Sequence, residues 1–215
     1  FTTATDTFNT AVGYNAGTAV TTGLGNTLTG SLAGDALTDA DYNVAVGYEA
    51  LTTDTLGSRS VAIGLGALRT QNFTTATTSR NTAVGDNAGY SVTTGVNNTL
   101  IGALAGDALT NSVLNTAVGY QALTSATTAD LNTAIGANAL STNILSDRNV
   151  ALGYNSLATH NLASNGDAYN TALGYSAGTA VTTGEKNTLV GGLAGDALTD
   201  ADFNTVVGMD ALSSD

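Results

Sequence analysis

The phrase NTAVG begins at Asn9 and returns, with small variations, at fixed distances along the chain. Aligned on an Asn, β-branched, apolar, apolar, Gly core, the units start at Asn9, Asn26, Asn43, Ser60, Asn81, Asn98, Asn115, Asn132, Asn149, Asn170, Asn187 and Asn204. Successive starts lie 17 residues apart, except at Ser60 to Asn81 and Asn149 to Asn170, where the step is 21. Glycine holds the fifth place of every unit, from Gly13 to Gly208. A strict period of this kind means units that bury their apolar residues on their neighbours. Seventeen residues is too short for a helical hairpin repeat, and the leucine pattern of leucine-rich repeats is absent.

Position two is always Thr or Val, and position four is Val, Ile or Leu everywhere except Thr29. A β-branched or apolar pair two residues apart is strand chemistry. The following glycine either turns the chain or admits a close backbone approach. Each unit therefore reads as one coil of a parallel β-solenoid, with one clear short strand and a second, weaker one. The expected fold is all-β: a single β-roll array over residues 1–215, of about twelve coils, two of them expanded. Stacked at ~4.8 Å, twelve coils make a rod roughly 55–60 Å long. The leading asparagines would line one corner and bond from coil to coil, like the amide ladders of stacked β structure.

Position three is Ala in most coils, Leu at Leu28, Leu100 and Leu189, and Val at Val206. Alternation sends positions two and four to one face of the strand and position three to the other. One face fills the interior; the frequent Thr at position two leaves open which. The other forms an apolar strip along the rod, and long exposed apolar strips mark interfaces. A side-by-side homo-oligomer is the expectation.

Composition narrows the function. The chain has 26 glycines, no proline, cysteine or tryptophan, and a net charge of −12. That charge speaks against nucleic acid and anionic lipid as partners, and it keeps an elongated protein soluble. No apolar run approaches the ~20 residues of a membrane helix, so no membrane insertion is expected in this segment. No signal peptide is visible, but the chain opens inside a repeat, so an export signal would lie upstream.

A longer period overlies the short one. NTLxGxLAGDALT occurs at Asn26, Asn98 and Asn187, each time one coil after an NTAxG coil containing AG and TTG. FTTATDTF at Phe1 matches FTTATTSR at Phe73, which makes residues 1–8 the expected tail of another expanded coil. Neither end carries a cap of the kind that solenoids need. The expectation is a section of a longer fibre, or a unit that continues into another copy.

SVAIG at Ser60 to Gly64, with NTAVG and NTAIG, resembles the head repeat of trimeric autotransporter adhesins. NTAVGYQAL at a 17-residue period resembles even more the repeat arrays of phage tail fibres. The resemblance spans essentially the whole chain. It implies a left-handed β-roll, a trimer, an extracellular location on a virion or bacterial surface, and a role in attachment, with a cell-surface carbohydrate or protein as receptor. It carries no catalytic residues. These 215 residues show no anchor, stalk coiled coil or chaperone domain, which leaves open the branch of such fibres that the resemblance points to.

Chemistry is sparse. With one histidine and no cysteine, most nucleophilic and zinc constellations lack parts, and no enzyme is expected. GEKNT at Gly184 lacks the Gly-Lys-Ser/Thr ending of a phosphate loop. No cofactor is called for. Calcium is the only metal to weigh, since Asp39, Asp41, Asp200 and Asp202 gather in two copies of one phrase. The favoured reading of these residues is a solvated acidic corner.

Arg59, Arg80, Arg148 and Lys186 directly precede coil starts, in the same column as Phe8, Tyr42, Tyr169 and Phe203. That stripe would cover a seam between subunits and pair with nearby aspartates, with carbohydrate contact as the rival role. The tyrosines at position six (Tyr14, Tyr48, Tyr120, Tyr154, Tyr175) are expected to pack. The inserted stretches offer Arg69, Gln71, Phe73, His160 and Asn161 as candidate binding residues, because insertions in solenoids map to loops. The function expected is a structural or adhesive fibre segment. The alternatives are a self-polymerising extracellular filament and, ranked last, an ice-binding solenoid.

Overall fold

A computed structural model describes residues 6–213. In chain order the strands are β1 (Thr10–Val12), β2 (Thr27–Thr29), β3 (Val44–Val46), β4 (Gly57–Ser58), β5 (Val61–Ile63), β6 (Thr77–Thr78), β7 (Thr82–Val84) and β8 (Thr99–Ile101). They continue with β9 (Thr116–Val118), β10 (Thr133–Ile135), β11 (Ser146–Asp147), β12 (Val150–Leu152), β13 (Gly166–Asp167), β14 (Thr171–Leu173), β15 (Thr188–Val190) and β16 (Thr205–Val207). The twelve three-residue strands form one parallel sheet in the order β1-β2-β3-β5-β7-β8-β9-β10-β12-β14-β15-β16. Pairing stays in register across both 21-residue steps, with Val61 opposite Thr82 and Val150 opposite Thr171. The chain is a parallel β-solenoid of about twelve coils.

A second strand was expected in every coil. Among the described residues it forms only beside the expanded coils, as β4 with β6 and β11 with β13. Elsewhere the return path is a series of turns joined coil to coil by single bonds, such as Gly34 N–H to the Ala50 carbonyl (2.9 Å) and Thr93 N–H to Thr110 (2.8 Å). The expected tail at residues 1–8 falls partly on residues 1–5, outside the described residues.

Position three points inward. Ala45, Ala62, Ala83, Leu100, Ala117, Ala134 and Ala151 are fully buried, while positions two and four are half-buried or exposed. Thr at position two keeps its hydroxyl toward solvent, which avoids burying an unpaired polar group.

The leading asparagines do more than stack on one another. Each side-chain oxygen accepts the backbone N–H of the next coil's leading residue, as from Asn98 to Asn81 (2.9 Å) and Asn132 to Asn115 (2.9 Å). In the 17-residue coils, those from Asn81 and Asn170 included, the amide N–H bonds a carbonyl fourteen residues on, as Asn115 does with Ala129 (2.9 Å). Asn149, at the start of the second expanded coil, instead turns back to Asn132 and Asp147. One buried amide thus closes its own coil and fastens the next.

The fifth-place glycines are imposed by geometry. Gly119 sits at φ 134° and Gly136 at φ 131°, where a side chain is strained. A Cβ on Gly119 would lie 2.6 Å from the Gly136 carbonyl carbon.

Interior volume explains the longer period. Position nine is Leu in five coils with Ala at position three, at Leu51, Leu68, Leu123, Leu140 and Leu157, all fully buried. Where position three is Leu, position nine is Gly in that coil and in the one before. Leu100 fills the space over Gly89 and Gly106, whose added Cβ atoms would each lie 2.7 Å from its methyls. Leu28 does the same over Gly17 and Gly34, and Leu189 over Gly178 and Gly195. A large side chain simply alternates between two walls of a narrow core.

Two outcomes follow for chemical denaturation. Leu100→Ala should cost about 3 kcal/mol by opening a cavity, and adding Gly106→Leu with Leu109→Ala should return part of that loss. Leucine already occupies this backbone conformation in sibling coils, and Leu109 would otherwise stand 2.7 Å from the new Cβ. Gly119→Ala should cost ~3 kcal/mol or more with no such rescue.

Candidate functional site: the exposed sheet face and its rims

The outward side chains of the twelve-stranded sheet make one continuous surface. Positions two and four supply two columns of Thr, Val, Ile and Leu with no charge in either. Position six forms one rim, with Tyr14, Tyr48, Leu65, Tyr120, Tyr154, Tyr175 and Met209 exposed. The residues preceding each start form the other, with Phe8, Tyr42, Leu114, Leu131, Tyr169 and Phe203 exposed. Every exposed large hydrophobic residue of the described chain belongs to these four columns except Ile144 and Leu212. With the ~4.8 Å strand spacing and ~3.3 Å per residue, the surface measures roughly 53 by 20 Å, or about 1,000 Å².

The rims correct one expectation and extend another. The position-six tyrosines are exposed rather than packed in the fold; only Tyr154 and Tyr175 stack on each other, with centroids 5.5 Å apart. The opposite rim is a ladder of left-handed residues, including Tyr42 (φ 56°), Arg59 (φ 65°) and Arg148 (φ 60°), which turns each coil outward at this corner. There cations lie over rings: Arg59 on Tyr42 (5.6 Å), Arg148 on Tyr169 (5.7 Å) and Lys186 on Phe203 (5.0 Å). Arg148 also pairs with Asp167, and Lys186 with Glu185 (3.1 Å). Of the acidic residues, only Asp86 falls in the four columns; the negative charge sits on the other sides of the rod.

The aspartates weighed for calcium have backbone and side-chain partners instead. Asp41 accepts the Leu24 N–H (2.8 Å) and Asp202 the Glu185 N–H (2.7 Å), each fastening the preceding coil. Asp39 accepts the Thr22 hydroxyl, and Asp200 that of Thr199. Among the described residues no three His, Cys, Asp or Glu come together as a metal set.

The candidate binding residues of the insertions divide. Arg69 reaches the surface, where it pairs with Glu49 (2.7 Å) and lies over Tyr90 (5.4 Å). Asn161 is half-buried and accepts the Ile144 N–H (3.0 Å). Gln71, Phe73 and His160 are buried, which removes them from any surface a receptor could meet. The exposed parts of the insertions are Thr74 to Ala76 and Ala163 to Asn165.

Gln71 and His160 occupy position twelve, an interior column that is apolar in most coils, as at Leu37, Val92, Leu109 and Val181. Among the described residues, polar side chains enter it only at and just before the expansions: Asp54 with Gln71, and Asn143 with His160. Asp54 accepts from Gly57 N–H (3.0 Å), Phe73 N–H (3.2 Å) and Gln71 Nε2 (2.6 Å), so it pins the start of the insertion. Burial nonetheless pushes its carboxyl above the ordinary range. Gln71 also accepts from Asn81 Nδ2 (2.8 Å), supplying the amide oxygen that Ser60 lacks in the asparagine ladder. Asn143 makes the matching turn with Ser146 (2.9 Å each way). Among the described residues, His160 has no hydrogen-bond partner on either ring nitrogen. Burial lowers its pKa to about 4, against weaker opposing effects of the Thr182 backbone and Glu185. The sequence signal for these residues was the polar break in an apolar column, not their place in a loop.

Since the folded pKa of His160 lies below its ordinary 6.5, its neutral form stabilises the fold above pH 6.5. That stability, about 3 kcal/mol, is lost as pH falls from 6.5 to 4. His160→Gln should remove this part of the acid sensitivity in urea melts taken across that range, while Asn161→Ala should retain it. No protein family, characterised protein or solved structure matches the chain.

Proposed function

We propose that this chain is a structural segment of an extracellular attachment fibre, of the phage tail-fibre or bacterial surface-adhesin type, in which copies pack side by side as a trimer. The observation that carries this reading is the gathering of nearly all exposed apolar side chains on one face of an unbroken sheet. Divided between the two neighbours of a trimer, about 1,000 Å² per copy gives roughly 500 Å² against each, so the three contacts of the assembly must act together. Carboxylates stand almost wholly outside that face, so its burial against a second copy brings little like-charge repulsion. The rims suit an interface edge, since tyrosine and arginine tolerate both burial and water. The work is mechanical: a rod whose coils are each fastened to the next resists unfolding and holds a binding tip away from a surface.

A second reading has one observation in its favour. The position-two threonines point outward in a flat array, which an ice-binding solenoid also requires. Val44, Val61 and Val150 interrupt that column, and position four carries no threonine but Thr29. The fibre reading accounts for both interruptions and rims.

Because position three is interior, substitution at Ala117 or Ala134 attacks the core and does not probe an interface. Val118→Glu and Ile135→Glu place charge on the outward face instead. Sedimentation should give discrete trimers for the wild-type chain and monomers of unchanged circular dichroism for the double variant. A monomeric wild type would refute the side-by-side assembly, rods of indefinite length would support a polymerising filament, and thermal hysteresis would support ice binding.

A further inference from the structure

A recess of about 250 Å³ opens beside the first expanded coil, and the apolar face does not account for it. Asp39, Asp41, Ser58 and Arg59 reach it from two successive 17-residue coils, while Thr77 and Thr78 come from the insertion, held there by the β4–β6 pairing. Nearly all of its lining is capable of hydrogen bonding. Asp41 uses Oδ1 for the Leu24 N–H and Asp39 uses Oδ1 for the Thr22 hydroxyl; neither Oδ2 has a partner among the described residues. Arg59 lies over the Tyr42 ring and makes no ion pair among the described residues.

The second expanded coil provides a comparison within the same molecule. Eighty-nine residues on, Arg148 stands for Arg59 and Asp167 for Thr78. Arg148 is engaged by Asp167, whose other oxygen accepts the Tyr169 hydroxyl (3.0 Å). Threonine at position 78 therefore leaves the Arg59 guanidinium without a carboxylate partner among the described residues, where the sister arginine has one. Two free carboxylate oxygens, a guanidinium fork and the Thr78 hydroxyl surround a space of one ring's size. Ser58 Oγ already accepts the Asp41 N–H (2.9 Å) and Thr77 Oγ1 donates to the Thr75 carbonyl (2.9 Å), but each keeps some capacity. Together they make a hydrogen-bonding set for vicinal hydroxyls. Two aspartates against one arginine leave the recess net negative, as is the whole chain, which disfavours an anionic guest.

We infer that this recess binds one unit of a neutral saccharide. The assignment rests on the attachment-fibre reading for its biological sense, whereas the binding itself is a separate measurement. Saturation-transfer NMR on the assembled protein, with methyl glycosides of glucose, galactose, mannose and N-acetylglucosamine, tests it, with N-acetylneuraminic acid as the anionic probe. At least one neutral glycoside should give transfer with millimolar affinity. Thr78→Asp, which installs the carboxylate present at the sister coil, and Arg59→Ala should each weaken it tenfold or more. No transfer from any neutral glycoside would overturn the inference, as would binding that survives both substitutions or a preference for the anionic sugar. Sedimentation of the same samples keeps the two readings apart: a trimer that binds no glycoside refutes the recess alone, and a monomer that binds one refutes the fibre alone.

Discussion

Everything in this molecule depends on one coil's backbone lying directly on the next at the spacing of a parallel β-ladder. That approach leaves no room for a Cβ at the fifth position, where the carbonyl of the following glycine would stand 2.1–2.7 Å away along the stack. It also sets the leading asparagine, whose buried amide meets the N–H of the next coil and a carbonyl of its own. Glycine and asparagine are thus two faces of one requirement. The first permits contact between coils, and the second satisfies the polar groups that contact would otherwise strand.

Within that frame the interior is narrow enough for simple volume rules. One side chain per coil projects from the sheet, and a second meets it from position nine. Alanine opposite leucine and leucine between two glycines are equivalent fillings of the same space. The alternation of the two gives the chain its longer period without altering the ladder. The expanded coils obey a different rule. Their insertions are tied down by polar groups placed inside the core: Asp54 and Gln71 in one, and in the other Ser146, whose hydroxyl accepts the Leu162 N–H (3.2 Å) from a turn closed by Asn143. His160, with no partner among the described residues, is where this arrangement is least satisfied.

Both proposals concern the surface outside the core, which the strict repeat defines. Because every coil presents the same positions outward, small preferences at each become a continuous apolar face, a tyrosine rim and a cationic rim. Where the repeat is broken by the first insertion, a polar recess opens at the corner. A uniform face suits association with copies of itself, while a local irregularity suits recognition of something else. The two proposals made for this chain follow that division.

Period, strand positions, glycine column and asparagine ladder were all legible in the sequence, because each is fixed by backbone contact that recurs every 17 or 21 residues. Which face of the strand points inward was not, since Thr-Ala-Val offers small or apolar residues on both sides. Tertiary structure decided it: a 17-residue coil has room for one inward side chain opposite leucine, and the threonine hydroxyl keeps its solvent only by facing out. Likewise Gln71, Phe73 and His160 read as loop residues in the linear chain. Only stacking reveals that Gln71 and His160 continue a buried column while the insertion proper begins after them, because a column exists between coils and not along them.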